Sequence, residues 1–342
     1  MKITIKSIAD SLGMSPSTVS RALNDSELIC KSTRDEVKRK AMELGYFNKS
    51  VNIVRSYSKS YVNSLGVSIP NLENPICIEV IKGIQEYFDS LNYNIIVMDS
   101  NESRKREEKN IQAFINLGVR GLIVFPTTKT SSQYIKPLTE GVIPTVYVCN
   151  IAEDKTIHSI GIDEKTAFFK LTQYLIQLGH EHIVLLGGSE KFENRVKGFF
   201  DAVSHERITD AEVIYCMPTQ YEGYNHTRNL LAQGRCVTGI VAATDYLAIG
   251  VLDAVYQSGK RVPEDLSLVS LDNINIAGNK RINLTTINQP GKEIGMKASE
   301  IVYSEIENGP SDYKKTEIFD VSLNIRGSCQ SIKATGSRDG NK

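Results

Sequence analysis

The stretch IKSIADSLGMSPSTVSRALN occupies residues 5–24 and has the pattern of two short helices joined by a tight turn. Apolar residues recur at helical spacing before Gly13, a residue that tolerates the positive φ of such a turn. A second helix is predicted after Ser15, a favoured N-cap, with a proline at its first position. Ala9 is small enough for the two helices to touch, and Val19 anchors the second helix on the first. The spacing therefore predicts a helix-turn-helix.

A third predicted helix completes a small all-α head. It begins at Ser32 and Thr33, where Thr33 and Glu36 have the spacing of a capping box, and it ends at Gly45. The head is also basic, because residues 1–60 contain 11 Lys and Arg but 6 Asp and Glu, while the whole chain has zero net charge. This asymmetry is expected when one part of a protein meets an anionic partner, and nucleic acid is the leading candidate.

The second helix of the head is rich in hydroxyl groups, as expected of a surface that faces DNA. In a helix-turn-helix, residues near the amino terminus of this helix reach base edges in the major groove. Arg21 is the side chain there that can hold a guanine through two hydrogen bonds. The hydroxyls and Asn24 suit phosphates. The alternative, two unrelated core helices, would leave this charge and these hydroxyls unexplained.

The chain has the composition of a globular protein, with 41% hydrophobic and 23% charged residues among 342. This length predicts about two or three domains. The longest apolar runs are of strand length, so no segment is expected to span a bilayer, and the amino terminus lacks the apolar region of a secretory signal. The six cysteines are far apart without a C-x-x-C pair, which indicates neither a zinc site nor a disulfide framework. We expect a cytoplasmic protein.

From Leu65 onwards, predicted strands and helices alternate, which is typical of parallel sheets covered by helices on both faces. The halves 65–150 and 182–272 follow the same order, so we expect two α/β lobes facing each other across a cleft. The predicted strands span 65–69, 93–98, 121–125, 144–148, 183–186, 212–216, 239–243, 266–271 and 285–288. The predicted domains are a helix-turn-helix head (1–46), a polar linker (47–62), a two-lobed α/β domain (63–328) and a disordered tail (329–342).

Short motifs spread along the chain are typical of one protein family. They are TIKSIA (4–9), SPSTVSRALN (15–24), ELGY (43–46), LGVSIP (65–70), NP (74–75), VRGLI (119–123), GVIP (141–144), LGH (178–180), RVKGF (195–199), RVPED (261–265), LTTINQP (284–290) and RGS (326–328). Through them the chain resembles the lactose-repressor family of bacterial transcription regulators over about residues 3–328. The resemblance implies a homodimer, with a tetramer as the alternative, and a domain of the type I periplasmic-binding fold that closes over a small metabolite.

The resemblance places the DNA contacts on the head and the linker. Tyr46 would support a contact to the DNA backbone, and Tyr57 takes the position where family members commonly insert a leucine into the minor groove. The stretch after Tyr46 is two residues longer than usual, so intercalation by Tyr57 stays open. The expected DNA contacts are Thr4, Ser15, Pro16, Ser17, Thr18, Ser20, Arg21, Asn24, Tyr46, Arg55 and Tyr57.

The resemblance also places effector residues in the cleft. Arg195 and Asp272 fall where family members grip the effector, and a guanidinium and a carboxylate on opposing walls would bracket vicinal hydroxyls. Thr244 and Gln289 either contact the effector or order the cleft backbone, and the same alternative holds for Asp245. The expected effector contacts are Ile76, Cys149, Arg195, Thr244, Asp272 and Gln289.

Three departures from the family pattern change the cleft. Ile76 with its neighbour replaces an aromatic pair, Pro218 replaces a further aromatic residue, and Cys149 replaces an aspartate. The loss of stacking surfaces argues against a purine effector and against a hexopyranose stacked on a ring. Lys191 would suit an anionic effector, such as a sugar acid or sugar phosphate, and the alternative is a solvated lysine.

These patterns predict a transcriptional repressor that binds a pseudopalindromic operator in double-stranded DNA and responds to a small metabolite, either a sugar or a sugar derivative. No cofactor, no metal ligand and no membrane contact is expected, and the absence of a G-x-S-x-G motif or a paired nucleophile indicates that the protein is not an enzyme. Two alternatives stay open. A sugar receptor whose basic head has another role would lack steeply salt-dependent DNA binding, and an α/β enzyme using the cleft would show turnover.

Overall fold

The computed structural model describes residues 4–23, 26, 28–44, 63–128, 130–152, 154, 156–189, 192–311 and 313–332. Several positions singled out from the sequence lie outside these residues: Asn24, Tyr46, Arg55, Tyr57, Lys191 and the whole predicted linker. Of the predicted tail, residues 329–332 are described, and they pack on the second lobe. The Gln330 N–H donates to the Ser267 hydroxyl at 3.1 Å, and the Ile332 N–H donates to the Leu178 carbonyl at 2.9 Å.

The described part of the head consists of three helices, α1 (Ile5–Leu12), α2 (Pro16–Leu23) and α3 (Lys31–Glu43). Gly13 lies between the first two with a φ of 63°, as the turn requires. Ala9 and Val19 are fully buried in the contact between α1 and α2. The predicted helix-turn-helix is therefore confirmed. The predicted capping box of Thr33 and Glu36 is wrong, because α3 begins earlier and Thr33 lies within its first turn.

Strands and helices alternate from residue 63 onwards. In chain order they are β1 (Asn63–Ile69), α4 (Pro75–Phe88), β2 (Tyr93–Asp99), α5 (Arg104–Leu117), β3 (Gly121–Val124), α6 (Ser131–Thr139), β4 (Thr145–Val148), β5 (His158–Ile162), α7 (Glu164–Gln177), β6 (His182–Gly188), α8 (Glu193–His205), β7 (Asp210–Tyr215), α9 (Gln220–Ala232), β8 (Gly239–Ala242), α10 (Asp245–Gln257), β9 (Ser267–Asp272), β10 (Thr285–Asn288), α11 (Gly291–Asn308), β11 (Thr316–Phe319) and β12 (Leu323–Asn324). Each predicted strand is present within two residues at either end. No helix among the described residues has the length and apolar character needed to cross a membrane.

The first lobe contains a sheet of six parallel strands in the order β11-β5-β4-β3-β1-β2. Helices α4 and α11 bury one of its faces, and α5 and α6 bury the other. The helices α4 and α11 approach closely at two glycines. A Cβ added to Gly83 would lie 2.0 Å from the Lys292 carbonyl oxygen, and one added to Gly295 would lie 2.1 Å from that of Val80.

The second lobe repeats this three-layer arrangement. Its sheet has the order β12-β10-β9-β8-β6-β7, in which β12 alone is antiparallel to its neighbour. Helices α9 and α10 cover one face, and α7 and α8 cover the other. The predicted class, a helical head joined to two parallel α/β lobes, is therefore confirmed.

The lobes are not two consecutive halves of the chain. The chain crosses between them three times, after β5, after β10 and after β11. Helix α11 returns to cover the first sheet, and β11 becomes the edge strand beside β5. None of the strands β5, β11 and β12 was predicted from the sequence. The three crossings place the junction of the lobes at the carboxyl ends of both sheets.

Candidate functional site

Helix α2 displays the polar face expected of a DNA-reading helix. The Ser15 hydroxyl accepts a hydrogen bond from the Thr18 N–H at 3.1 Å, as a favoured N-cap does. This bond fixes the start of α2, where base contacts would be made. Of the predicted contacts on this helix and its cap, Ser15, Pro16, Ser17 and Arg21 are exposed, and Thr18 and Ser20 are half-buried.

Thr4 lies at the start of α1 and takes part in a reciprocal capping box. Its hydroxyl accepts from the Ser7 N–H at 3.2 Å, and its own N–H donates to the Ser7 hydroxyl at 3.1 Å. The residue is exposed. An exposed helix amino terminus is suited to meet a phosphate, because its backbone N–H groups and its dipole favour negative charge.

The candidate effector site lies where the carboxyl ends of the two sheets meet, the place where open parallel sheets bind ligands. Arg195 on α8 and Asp272 at the end of β9 both belong to the second lobe. The prediction that they face each other from opposing walls is therefore wrong. The first lobe contributes Ile76 at the start of α4 and Cys149 directly after β4.

Arg195 is held in place by the protein itself. Its Nε donates to Glu164 Oε1 at 2.8 Å, and its Nη1 donates to the Ala243 carbonyl at 2.6 Å. The guanidinium carbon lies 3.7 Å from the centre of the Phe192 ring. With so many partners, the planar guanidinium is fixed in orientation without any ligand. Glu164 was not predicted from the sequence, because the strand that it follows, β5, was not predicted either.

Asp272 combines an unusual backbone with a buried carboxyl group. Its φ is 126°, a region that residues other than glycine rarely adopt and that is often found at functional sites. The side chain is buried, and its Oδ2 has no hydrogen-bond partner among the described residues. Burial raises the pKa of Asp272 well above its ordinary value, and the nearby Asp245 carboxyl raises it further, whereas the Arg195 guanidinium lowers it. A buried acceptor without a partner is suited to a donor group on a ligand.

Thr244 and Asp245 lie at the start of α10, beside Asp272, and both are held by hydrogen bonds within the protein. The Thr244 hydroxyl accepts from an N–H in the first turn of α10 at 3.1 Å and so caps that helix. Asp245 Oδ1 accepts from the Thr286 hydroxyl at 2.7 Å, and Oδ2 accepts from the Ile274 N–H at 2.9 Å. Burial raises the pKa of Asp245 to about 6, although these hydrogen bonds lower it. Thr244 therefore fixes the start of α10, and Asp245 connects this helix to β10 and to the segment after β9.

Gln289 connects the two walls of the cleft. Its backbone N–H donates to the Asp272 carbonyl at 3.1 Å, and its side chain lies near the Cys149 thiol, whose pKa it lowers. Cys149 has a φ of 56°, and burial raises the pKa of its thiol above the ordinary value. Ile76 is buried at the first turn of α4. The structure therefore brings all six predicted effector residues to one region.

A hydrogen bond between side chains also joins the lobes beside these residues. Tyr246, in the first turn of α10, donates through its hydroxyl to Glu73 Oε2 at 3.2 Å. Glu73 lies in the loop between β1 and α4 of the first lobe. Neither residue was singled out from the sequence. The bond holds the lobes together at the carboxyl ends of their sheets.

A cavity of about 1250 Å³ lies at the other end of the first sheet, at the amino ends of β1, β3 and β4. Its wall includes His158 and Glu305, whose Nε2 and Oε1 atoms are 2.8 Å apart. Lys314 Nζ lies 2.9 Å from Glu305 Oε2. These groups satisfy one another, so they stabilise that end of the lobe and are separate from the cleft.

Two family models match the chain. The model of bacterial regulatory proteins of the lacI family matches residues 4–48, which include the described head. The model of the periplasmic binding protein-like domain matches residues 172–329, which include most of the second lobe.

Several curated relatives match nearly the full chain. Catabolite control protein A of Priestia megaterium is 28% identical over 88% of this chain and 92% of its own length. The ribose operon repressor of Haemophilus influenzae is 28% identical over 96% of this chain and 99% of its own. The transcriptional repressor CytR of Escherichia coli is 27% identical over 96% and 97%.

Solved structures share the fold. A lac repressor dimer bound to operator and an anti-inducer matches 96% of this chain and 100% of that chain, with a TM-score of 0.70 and 22% identity. A lacI-family regulator from Enterococcus faecium with bound ribose matches 79% of this chain and 100% of that chain, with a TM-score of 0.69 and 24% identity. At these identities the likeness establishes the arrangement of head and lobes.

Proposed function

Because the chain belongs to the lacI family of bacterial transcription regulators, we propose that it is a homodimeric repressor whose grip on an operator depends on a small metabolite bound between its lobes. The main support is a combination of two features in one chain. One is the exposed polar start of α2, and the other is a cleft in which Asp272 keeps a buried oxygen without a partner among the described residues. Such a repressor acts in the cytoplasm, where bacterial DNA lies.

In this proposal, α2 enters the major groove of operator DNA. Ser15, Pro16 and Ser17 at its start approach the base edges, and Arg21 forms two hydrogen bonds with a guanine. Thr4 at the start of α1 approaches a phosphate. Because a dimer presents two such heads related by two-fold symmetry, its operator is a pseudopalindrome with two half-sites. The proposed DNA contacts also include Asn24, Tyr46, Arg55 and Tyr57.

The charges around the cleft support a neutral, hydroxyl-rich effector over an anionic one. Asp272 offers an acceptor and Arg195 a donor, which together suit vicinal hydroxyls. Glu164, Asp245 and Asp272 place three carboxyl groups in this region, and Arg195 and Arg326 already donate to protein oxygens. A phosphate or carboxylate on the ligand would have to displace these bonds in order to pair with either guanidinium. The ribose operon repressor and the regulator with bound ribose also support a sugar.

Effector binding would change the operator affinity by changing the angle between the lobes. Ile76 and Cys149 contact the ligand from the first lobe, and Arg195 and Asp272 contact it from the second, so the ligand favours one relative position of the lobes. The first lobe begins at Asn63, directly after the linker, so its movement is passed to the heads. A coupling free energy of about 1–3 kcal/mol, or roughly 5–150-fold in operator affinity, is typical of such a system.

Recovery of genomic DNA fragments by the purified full-length protein at about 150 mM salt tests this proposal, because non-specific phosphate contacts are weakened there. We expect enrichment of one pseudopalindrome. Arg21→Ala should weaken its binding by about 1–3 kcal/mol and relax the preference at one base pair. Arg39→Ala removes an exposed arginine of α3 and is the matched control, which should keep the sequence preference. If no sequence is enriched either alone or with added cell metabolites, the proposal fails.

A further inference from the structure

We propose that Cys216, Glu222 and His226 form a binding site for a divalent cation of the zinc class on the second lobe. The thiol sulfur, one carboxylate oxygen and one ring nitrogen all lie within 4.8 Å of one another. Cys216 directly follows β7, and the other two residues lie one helical turn apart on α9. None of the three has a role in the DNA or effector contacts described above.

The three side chains already converge. His226 Nε2 lies 3.2 Å from Glu222 Oε2. A four-coordinate zinc ion with bonds of about 2.0–2.3 Å keeps its ligand atoms roughly 3.3–3.8 Å apart, so closing the site requires side-chain movements of about 1 Å.

The backbone on both sides of the site is anchored. The Cys216 N–H donates to the Gly188 carbonyl at 3.2 Å, which continues the pairing of β7 with β6. The Thr219 hydroxyl accepts from the Glu222 N–H at 3.3 Å and caps α9. Because residues four apart share one face of a helix, His226 then lies beside Glu222. The fold therefore positions the ligands without any metal.

The donor set selects the metal. A thiolate and an imidazole favour zinc over magnesium and calcium, which take oxygen ligands. The side chains of Glu222 and His226 are 31% and 33% exposed, so water or a fourth ligand can complete the coordination, as at zinc sites with three protein ligands. The three ligands come from the end of a strand and from a helix. They therefore do not form the paired C-x-x-C motif by which many zinc sites are recognised in a sequence.

Equilibrium dialysis of the full-length protein against Zn²⁺ tests the site. We expect one zinc ion per chain, and with Co²⁺ as the probe a thiolate-to-metal charge-transfer band. Cys216→Ser should remove the band, and both this variant and His226→Gln should weaken zinc binding by at least about tenfold. Cys236→Ser and His205→Gln are matched controls, since both replace exposed residues of the same lobe, and His205 pairs with Glu206 outside the cluster. Both controls should bind zinc as the wild type does.

Thermal unfolding separates loss of the site from loss of the fold. Without zinc, the variants should unfold at the wild-type temperature, while added zinc should raise the Tm of the wild type and not that of Cys216→Ser or His226→Gln. Either of two results would overturn the proposal: wild-type protein that retains no zinc, or ligand variants that bind zinc as tightly as the wild type.

Discussion

At the scale of single residues, the carboxyl group of Asp272 links effector binding to pH. Its raised pKa means that the free protein holds a proton on this group at higher pH than an ordinary aspartate does. A ligand hydroxyl that donates to the carboxylate selects the ionised form, so binding releases this proton. By linkage, effector affinity should rise with pH up to the raised pKa of Asp272 and level off above it, and it should fall as pH is lowered below that pKa.

Asp272→Asn should lower effector affinity by about 1.5–3 kcal/mol, because a hydrogen bond to a charged group is lost, and should remove this pH dependence. Asparagine tolerates positive φ, so the backbone at this position is preserved. Calorimetric titration at several pH values, with a neutral sugar found to stabilise the wild type, measures both effects. Asp201→Asn, at an exposed surface pair with Lys165, is the control. If the effector affinity of Asp272→Asn depended on pH as that of the wild type does, another group would be responsible for the pH dependence.

Substitutions of Gly13 test whether the stability of the turn between α1 and α2 depends on backbone conformation alone. Its φ is 63°, and no atom lies within 4 Å of an added Cβ. Gly13→Ala should therefore destabilise the head by about 1–2 kcal/mol, the cost of the left-handed conformation for a residue with a side chain. Gly13→Asn should cost less, because asparagine adopts this conformation more readily. Hydrogen exchange of the α1 and α2 amides measures the difference in stability. Equal protection in both variants would show that the left-handed conformation is not the cause of the destabilisation.

The residues of the effector site were only partly recoverable from the sequence. Arg195 stands in the motif RVKGF, and the family resemblance marks the position of Asp272, so the place of both residues in the cleft could be predicted. That both residues lie in the second lobe could not be predicted, because this depends on which strands pair. Glu164 was missed since an acidic residue after a strand has many ordinary uses, and its bond to Arg195 joins residues 31 positions apart.

At the scale of elements, helices α4 and α11 depend on glycines at their contact. Gly295→Ala would place a Cβ 2.1 Å from the Val80 carbonyl oxygen, so the helices must separate. We expect a loss of about 1–3 kcal/mol in the free energy of unfolding, as is typical of overpacking. Ser304→Ala, at an exposed position of α11, should change it by less than about 0.5 kcal/mol. Denaturant unfolding compares the two variants, and similar small losses would mean that the helices can separate freely.

Elements defined by local signals were predictable, and elements defined by distant pairing were not. The helix-turn-helix follows from caps, a glycine turn and apolar spacing within a short stretch, and most of the nine predicted strands consist mainly of apolar residues. Strand β11 is short and half exposed, and what makes it a strand is its pairing with β5, about 150 residues earlier. Without that pairing, nothing in its local sequence distinguishes it from a loop.

At the scale of the whole molecule, the Tyr246–Glu73 bond is expected to favour the joined position of the lobes. Tyr246→Phe removes the donor and keeps the ring, which should cost about 1–2 kcal/mol of contact between the lobes. If the effector binds between joined lobes, its affinity should fall by a similar free energy. Tyr256→Phe, exposed on the same helix, is the control and should bind as the wild type does. Unchanged calorimetric affinity in Tyr246→Phe would show that this bond does not contribute to ligand binding.

The three crossings between the lobes also determine the order in which the molecule can be completed during translation. The ribosome delivers β1 to β5 first, but α11, one of the two helices that cover one face of their sheet, and the edge strand β11 lie in residues 291–319. The lobe that leads in the sequence is therefore among the last parts to be finished. Nascent chains that stop before residue 291 would leave the part of this apolar face under α11 exposed, and we expect them to become substrates for chaperones and proteases instead of half-active regulators.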